Sequence, residues 1–191
     1  MTDFMSRLTK ELEPILASSD PSEKISAYHD MPYAIFRYEP SKEQAVRVAV
    51  SALQTRLENK GKRVTKISLA ECLTEALESE APLTDWFELE RQFGADKAIQ
   101  DIHSLLAERT PLVDLVASRM PTDPDDKRDV AFIVRTGALF PVYRTFSLLE
   151  QLKGRVAIPT ILFYPGDLDG AAGLRFMGVL DAEHNYRPKI F

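Results

Sequence analysis

The sequence predicts an α/β fold, a three-layer sandwich around a mostly parallel central sheet. Two uninterrupted apolar runs, VAFIV at 130–134 and TILFY at 160–164, flank an amphipathic stretch. Strands without hydrophobic alternation are covered on both faces, as in parallel sheets. A third run, YAIFRY at 33–38, is followed by another amphipathic stretch and then a further strand-like segment, the order of a βαβ unit.

Length, charge and cysteine usage bound the reading. The 191 residues suffice for one domain with a full core, here taken as 1–191 with a helical lobe at 84–120. The formal net charge of −5 argues against a broad nucleic-acid surface, because phosphate contacts need clustered Lys and Arg; a local basic patch stays open. Cys72 is the one cysteine, which excludes an intramolecular disulfide and a multi-cysteine zinc site. The N-terminal stretch MTDFMSRLTKELEPIL carries acidic residues early and has no apolar run suited to a signal peptide. No segment approaches the roughly 18 consecutive apolar residues of a membrane span, so a cytoplasmic protein without membrane contact is expected.

Taken in order, Phe4, Leu8, Leu12 and Ile15 recur at helical spacing, with Asp3 at the positive end of that helix. Residues 18–23 (SSDPSE) read as a loop. The strand at 33–38 is bounded by Pro32 and Pro40, and Ser41 is the expected N-cap of a helix whose face is Val46, Ala49, Val50, Leu53 and Leu57. Gly61 is its expected C-terminal stop. The strand at 64–69 is less apolar and so nearer an edge. A helix is predicted over 70–77, broken by Pro82. Three helical pieces are predicted over 84–120: the first contains Trp86, Phe87, Leu89 and Phe93 and stops at Gly94, the second carries Ile99, Ile102 and Leu106, and Pro111 precedes the third. A run of helices between two β-rich parts suggests an insertion. Residues 121–129 form a polar connector into the central strand. A helical stripe of Val142, Phe146, Leu149 and Leu152 ends at Gly154, and the tail is expected to form a terminal hairpin whose last strand Pro188 confines to an edge.

An open parallel sheet binds ligands at the carboxyl ends of its strands. Here those ends read Tyr38-Glu39-Pro40, Arg135-Thr136-Gly137 and Tyr164-Pro165-Gly166, the last expected as a turn. A Walker A phosphate loop needs a glycine-rich turn ending in Gly-Lys-Ser/Thr, and none follows any strand; the first leads into EPSKEQ. The architecture is therefore P-loop-like without its phosphate loop, and no dinucleotide fingerprint is present. Arg135, at the end of a wholly apolar strand, either meets an anion or pairs with an internal acid such as Glu39. Arg144, Arg175, Thr136, Gly137 and Tyr164 complete the candidate binding residues. Asp167, Asp169 and Gly170 lack the spacing of a calcium loop and read as a solvated turn. His29, His103 and His184 stand far apart in sequence without a metal-binding context. Cys72 lacks a local activating partner, and no serine sits in a nucleophile elbow. No catalytic signature and no cofactor site is read from the residues. A surplus of aromatic residues at 86–93, 140–141 and 163–165 points to core packing with some docking area at a rim.

The run RTGALFPVYRTFSLLEQL, the segment FYPGDLDGAAGLRFMGVL and the terminal Tyr186-Arg187 resemble the BrxB family (DUF1788) of bacterial BREX phage-defence systems. The resemblance covers nearly the whole chain and is specific in its C-terminal half. It implies work inside a multi-protein defence complex with a phosphatase-like PglZ protein, a large ATPase and a DNA methyltransferase. It supplies no catalytic residues. The resulting expectation is a non-enzymatic adaptor without cofactor that binds other BREX proteins, PglZ first among them, any association with DNA being indirect, through the complex. The alternative is a nucleotide- or nucleic-acid-binding subunit that uses Arg135, Arg144 and Arg175.

Overall fold

The computed structural model of the chain describes residues 3–25, 32–170, 173–184 and 188–191. Helix α1 (Asp3–Arg7) continues through a π-helical stretch (Leu8–Leu12) into α2 (Glu13–Leu16), and α3 (Pro21–Ile25) follows. Strand β1 (Tyr33–Tyr38) leads through a 3-10 turn (Pro40–Lys42) to α4 (Glu43–Glu58), and β2 (Arg63–Ser68) completes the βαβ unit. Next come α5 (Leu69–Glu80), α6 (Leu83–Phe93), α7 (Ala95–Ser104) with its π-helical extension (Leu105–Arg109), and α8 (Leu112–Ala117). The chain ends with β3 (Asp129–Val134), a 3-10 turn (Thr136–Leu139), α9 (Thr145–Leu152), β4 (Thr160–Asp169), β5 (Gly173–Phe176) and β6 (Lys189–Ile190).

The sheet order is β2-β3-β4-β1-β6 with every pair parallel, and β5 pairs antiparallel with the outer end of β4. Alternation along the strands divides the core in two. Ala34, Phe36, Tyr38, Val130, Phe132, Ile161 and Phe163 face a layer built from the N-terminal helices and α4. Tyr33, Ile35, Ile67, Ala131, Ile133, Leu162 and Tyr164 face the opposite layer, which holds α5, the Leu105–Leu106 turn, α8 and α9. The mostly parallel α/β sandwich expected from the apolar runs is present. The ring of Phe163 lies between those of Phe36 and Phe132, at 5.5 and 5.4 Å. Such offset and edge contacts hold the centre of the first core.

Several local expectations are corrected. Residues 164–166 do not turn: Tyr38–Pro165 is the last pair of β1 with β4, and Gly166–Phe176 is the first of β4 with β5. Proline is tolerated where the strand changes partner, because few ladder bonds are lost there. Asp167 and Asp169 are accordingly strand residues, and the turn begins at Gly170, whose φ of 67° is left-handed. Among the described residues the tail pairs with itself only at one antiparallel bridge, Leu174–Glu183, and not as a two-stranded hairpin. β5 joins β4, while β6 joins the edge of β1. Ser41 lies inside the 3-10 turn, and α4 starts at Glu43 without a side-chain cap. Among the described residues no helix is long and apolar enough to cross a membrane.

Polar side chains tie the layers together. Arg63 and Asp129, opposite each other at the start of β2 and β3, form a two-pronged ion pair at 2.6 Å in both arms. Buried Lys62 donates to the carbonyls of Ser18 and Lys127 at 2.6 and 2.5 Å. Glu13, buried on α2, accepts from Arg56 (2.8 and 3.0 Å) and Lys60 (3.1 Å) near the end of α4. The Arg56 hydrogen bonds, aided by Lys60, hold the Glu13 carboxyl below its usual range against the opposing effect of burial. A depressed carboxylate stabilises the fold above its unfolded-state pKa, and that stabilisation is lost as pH falls through the folded value. Urea unfolding should therefore show Glu13→Gln less stable than wild type by about 1–2 kcal/mol at pH 7, the two converging as pH drops below about 4.

Candidate binding cleft at the carboxyl ends of the strands

The carboxyl ends of β1 and β3 release the chain to opposite faces, β1 toward α4 and β3 toward α9. Divergence of this kind opens a crevice above a parallel sheet. A cleft of about 490 Å³ lies there, between α4 and the ends of β2 and β3. Its walls carry Tyr38, Glu43, Arg47, Lys66, Ser68 and Arg135, and Val46, Val50 and Phe163 contribute apolar lining. A second, more open depression of about 690 Å³ runs along the acidic flank of α5, lined by Glu71, Glu75 and Glu78. Arg135 borders both.

Arg135 is held in left-handed backbone (φ 60°, ψ 33°), a region that L side chains seldom adopt outside turns. It carries the chain sharply from β3 into the 3-10 turn. Its Nε lies 3.6 Å from Glu43 Oε1, so the internal acid that meets it is Glu43 and not Glu39. Glu39 is exposed on extended backbone before Pro40, whereas the 3-10 turn brings Glu43 back over the strand ends. The phenol of Tyr38 donates to the other oxygen, Oε2, of the same carboxylate. Burial, reinforced by Glu43, raises the Tyr38 hydroxyl well above the usual phenol range, so it remains a donor. Glu43 thus collects one phenol and one guanidinium, and it fixes the mouth of the cleft.

The other candidate residues do not converge there. Thr136 is fully buried and its Oγ1 donates to the Phe163 carbonyl at 2.7 Å. The pairing of β3 with β4 ends at Ile133–Leu162, and this hydroxyl serves the next β4 carbonyl. Gly137 sits beside Pro165 and Met177. Tyr164 points into the opposite core, 5.4 Å from the ring of Phe176. Arg144 precedes α9 and pairs with Glu183 at 3.3 Å, and Arg175 pairs across the β4–β5 hairpin with Asp169 at 3.1 Å. The three arginines are thus engaged by three different acids in different places. Cys72 is buried, which pushes its thiol up and keeps it protonated. His103 is hydrogen-bonded to the Val142 carbonyl at 3.0 Å. His29, Tyr186 and Arg187 lie outside the described residues. Among the described residues no group of three or more His, Cys, Asp or Glu side chains is placed to hold a metal ion.

Sequence reasoning missed Glu43, Arg47 and Lys66 as neighbours of Arg135. The available signals were the short spacing from Tyr38 to Glu43 and the alternation of β2. With Ile67 in the α5 layer, Lys66 and Ser68 must face α4.

Residues 65–190 match a sequence model of the family described as BREX protein BrxB. The chain is also similar to a BREX protein BrxB of Bacillus cereus (strain H3081.97), 29% identical over 188 residues that cover 96% of each chain. No solved structure matches.

The two glycines of the C-terminal motifs have different physical standing. A Cβ on Gly166 would overlap the Arg175 carbonyl oxygen and stand 2.5 Å from Tyr164 Cε1, whereas one on Gly137 would meet Met177 Sδ at 3.5 Å and Pro165 Cγ at 3.6 Å, ordinary contacts. Thermal and urea denaturation should show Gly166→Ala destabilised by about 2–4 kcal/mol, and Gly137→Ala within about 1 kcal/mol of wild type.

Proposed function

Because the chain belongs to the BrxB family and takes part in bacterial BREX antiviral defence, we propose that it serves there as a non-catalytic assembly component. It docks another BREX protein, PglZ being the expected partner, through helix α6. The observation that carries this reading is the state of α6. None of its eleven residues is buried, and Phe87 and Phe93 are 62% and 66% exposed. Its inner side is anchored by half-buried Trp86, whose indole N–H donates to the Leu77 carbonyl at 3.1 Å. Large aromatic side chains left in water are characteristic of interface anchors.

The charges around this helix favour a partner with a basic rim. Asp85, Glu88 and Glu90 lie on α6, and the helix's one cation, Arg91, is already paired with Glu88 at 2.9 Å. An apolar surface with a basic rim complements this arrangement. The absence of catalytic motifs in the sequence agrees with a binding role.

Affinity-tagged protein expressed with the other BREX components should retain PglZ. Phe87→Glu and Phe93→Glu, each on an exposed site, should fold as wild type does by circular dichroism while weakening retention about 30-fold. Capture of no BREX protein by the wild type, or unchanged capture by both variants, would sink the proposal.

A further inference from the structure

We propose that the cleft between α4 and β2 binds a phosphate ester of a small organic molecule, gripped at its anionic end by Arg47 and Lys66. The N-terminal helices and α4 cover β1, β3 and β4, and β2 contributes only partly buried Val64 to that core. The uncovered face of β2 becomes one wall of the cleft, presenting Lys66 and Ser68, and α4 supplies the other with Arg47 and Ser51.

The charges select the ligand. Arg135 is committed to Glu43, and Glu43 to Arg135 and Tyr38. Glu71 also lines the cleft, from the first turn of α5, where the positive end of that helix offsets part of its negative charge. Arg47 and Lys66 have no acidic partner among the described residues, in a chain whose formal net charge is −5. Two unpaired cations across one cleft match a dianion, and a phosphate monoester carries roughly −1.5 to −2 charges at neutral pH. The serine hydroxyls on both walls can donate to its remaining oxygens. Exposed Val48 and partly buried Val134 give the organic part an apolar seat, and about 490 Å³ lies in the range of small-molecule sites. Recognition here would use side-chain cations, since the backbone cradle of a phosphate loop is absent.

Isothermal titration calorimetry at low ionic strength, with AMP and glucose 6-phosphate as probes, tests the site; inorganic phosphate and citrate serve as comparison anions. At least one ester should bind the wild type more tightly than inorganic phosphate or citrate. Arg47→Ala and Lys66→Ala should each weaken it by about 10- to 100-fold, with thermal midpoints unchanged because both side chains are exposed. Failure of both esters to bind at millimolar concentration would overturn the proposal. So would equal binding of inorganic phosphate or citrate, or unaltered binding by the two variants.

Discussion

A strand in the middle of a three-layer sandwich must satisfy two cores at once, and β4 is where this constraint is tightest. All seven residues from Thr160 to Gly166 are buried. Ile161 and Phe163 point to one layer, Leu162 and Tyr164 to the other, and β3 and β1 take up the backbone on either side. A slip of one residue would exchange the two sets of side chains and set each against a surface shaped for the other. The positions of Thr136, Phe176 and the strand-end cleft all follow from this register. Thr136 reads the Phe163 carbonyl, Phe176 packs on Tyr164, and Phe163 forms part of the cleft lining.

The cleft itself results from unequal coverage of the two faces. The long connection from β2 to β3 supplies α5, α7 and α8 to one side, and α9 extends that layer. The other side has the N-terminal helices and α4, which leave the edge strand partly bare. Glu43 then gives the opening a fixed mouth by holding Tyr38 and Arg135 from one carboxylate. Fixed side chains lose little conformational freedom when a ligand arrives, which is how a shallow site at a sheet end gains affinity.

The architecture was legible because it is written in runs and periods. VAFIV and YAIFRY are long enough and apolar enough to demand two-sided burial, and Val46, Ala49, Val50, Leu53 and Leu57 define one face of α4, all of them buried. The site was legible only in part. Arg135 stands out as a charge after an apolar strand, but its partner depends on a 3-10 turn at Pro40–Lys42 that no pattern announces. The FYPG segment contains two turn-forming residues and still runs as strand, because tertiary pairing with β1 and β5 outweighs local preference. Phe87 and Phe93 follow the composition of a core helix. Their exposure follows from the position of α6, which packs against α7 and α5 and buries none of its residues.

The hydrogen bond from the Arg37 guanidinium to the Gly166 carbonyl, beside the β1–β4 pairing, spans 129 residues. β1 leaves a ribosome well before its inner neighbour β4. At about 5–20 residues per second, on the order of ten seconds separate the two. During that interval YAIFRY can shelter one face under the N-terminal helices and α4, but its hydrogen-bonding edge has no strand to meet. The segment with β3, α9 and β4 is compact in sequence and can form its own parallel pair as soon as it is complete. The topology therefore lets β3 and β4 pair before β1 joins them, and β6, whose partner is β1, follows it. Until then a nascent chain presents an apolar ribbon that chaperones, or other copies of itself, are free to find.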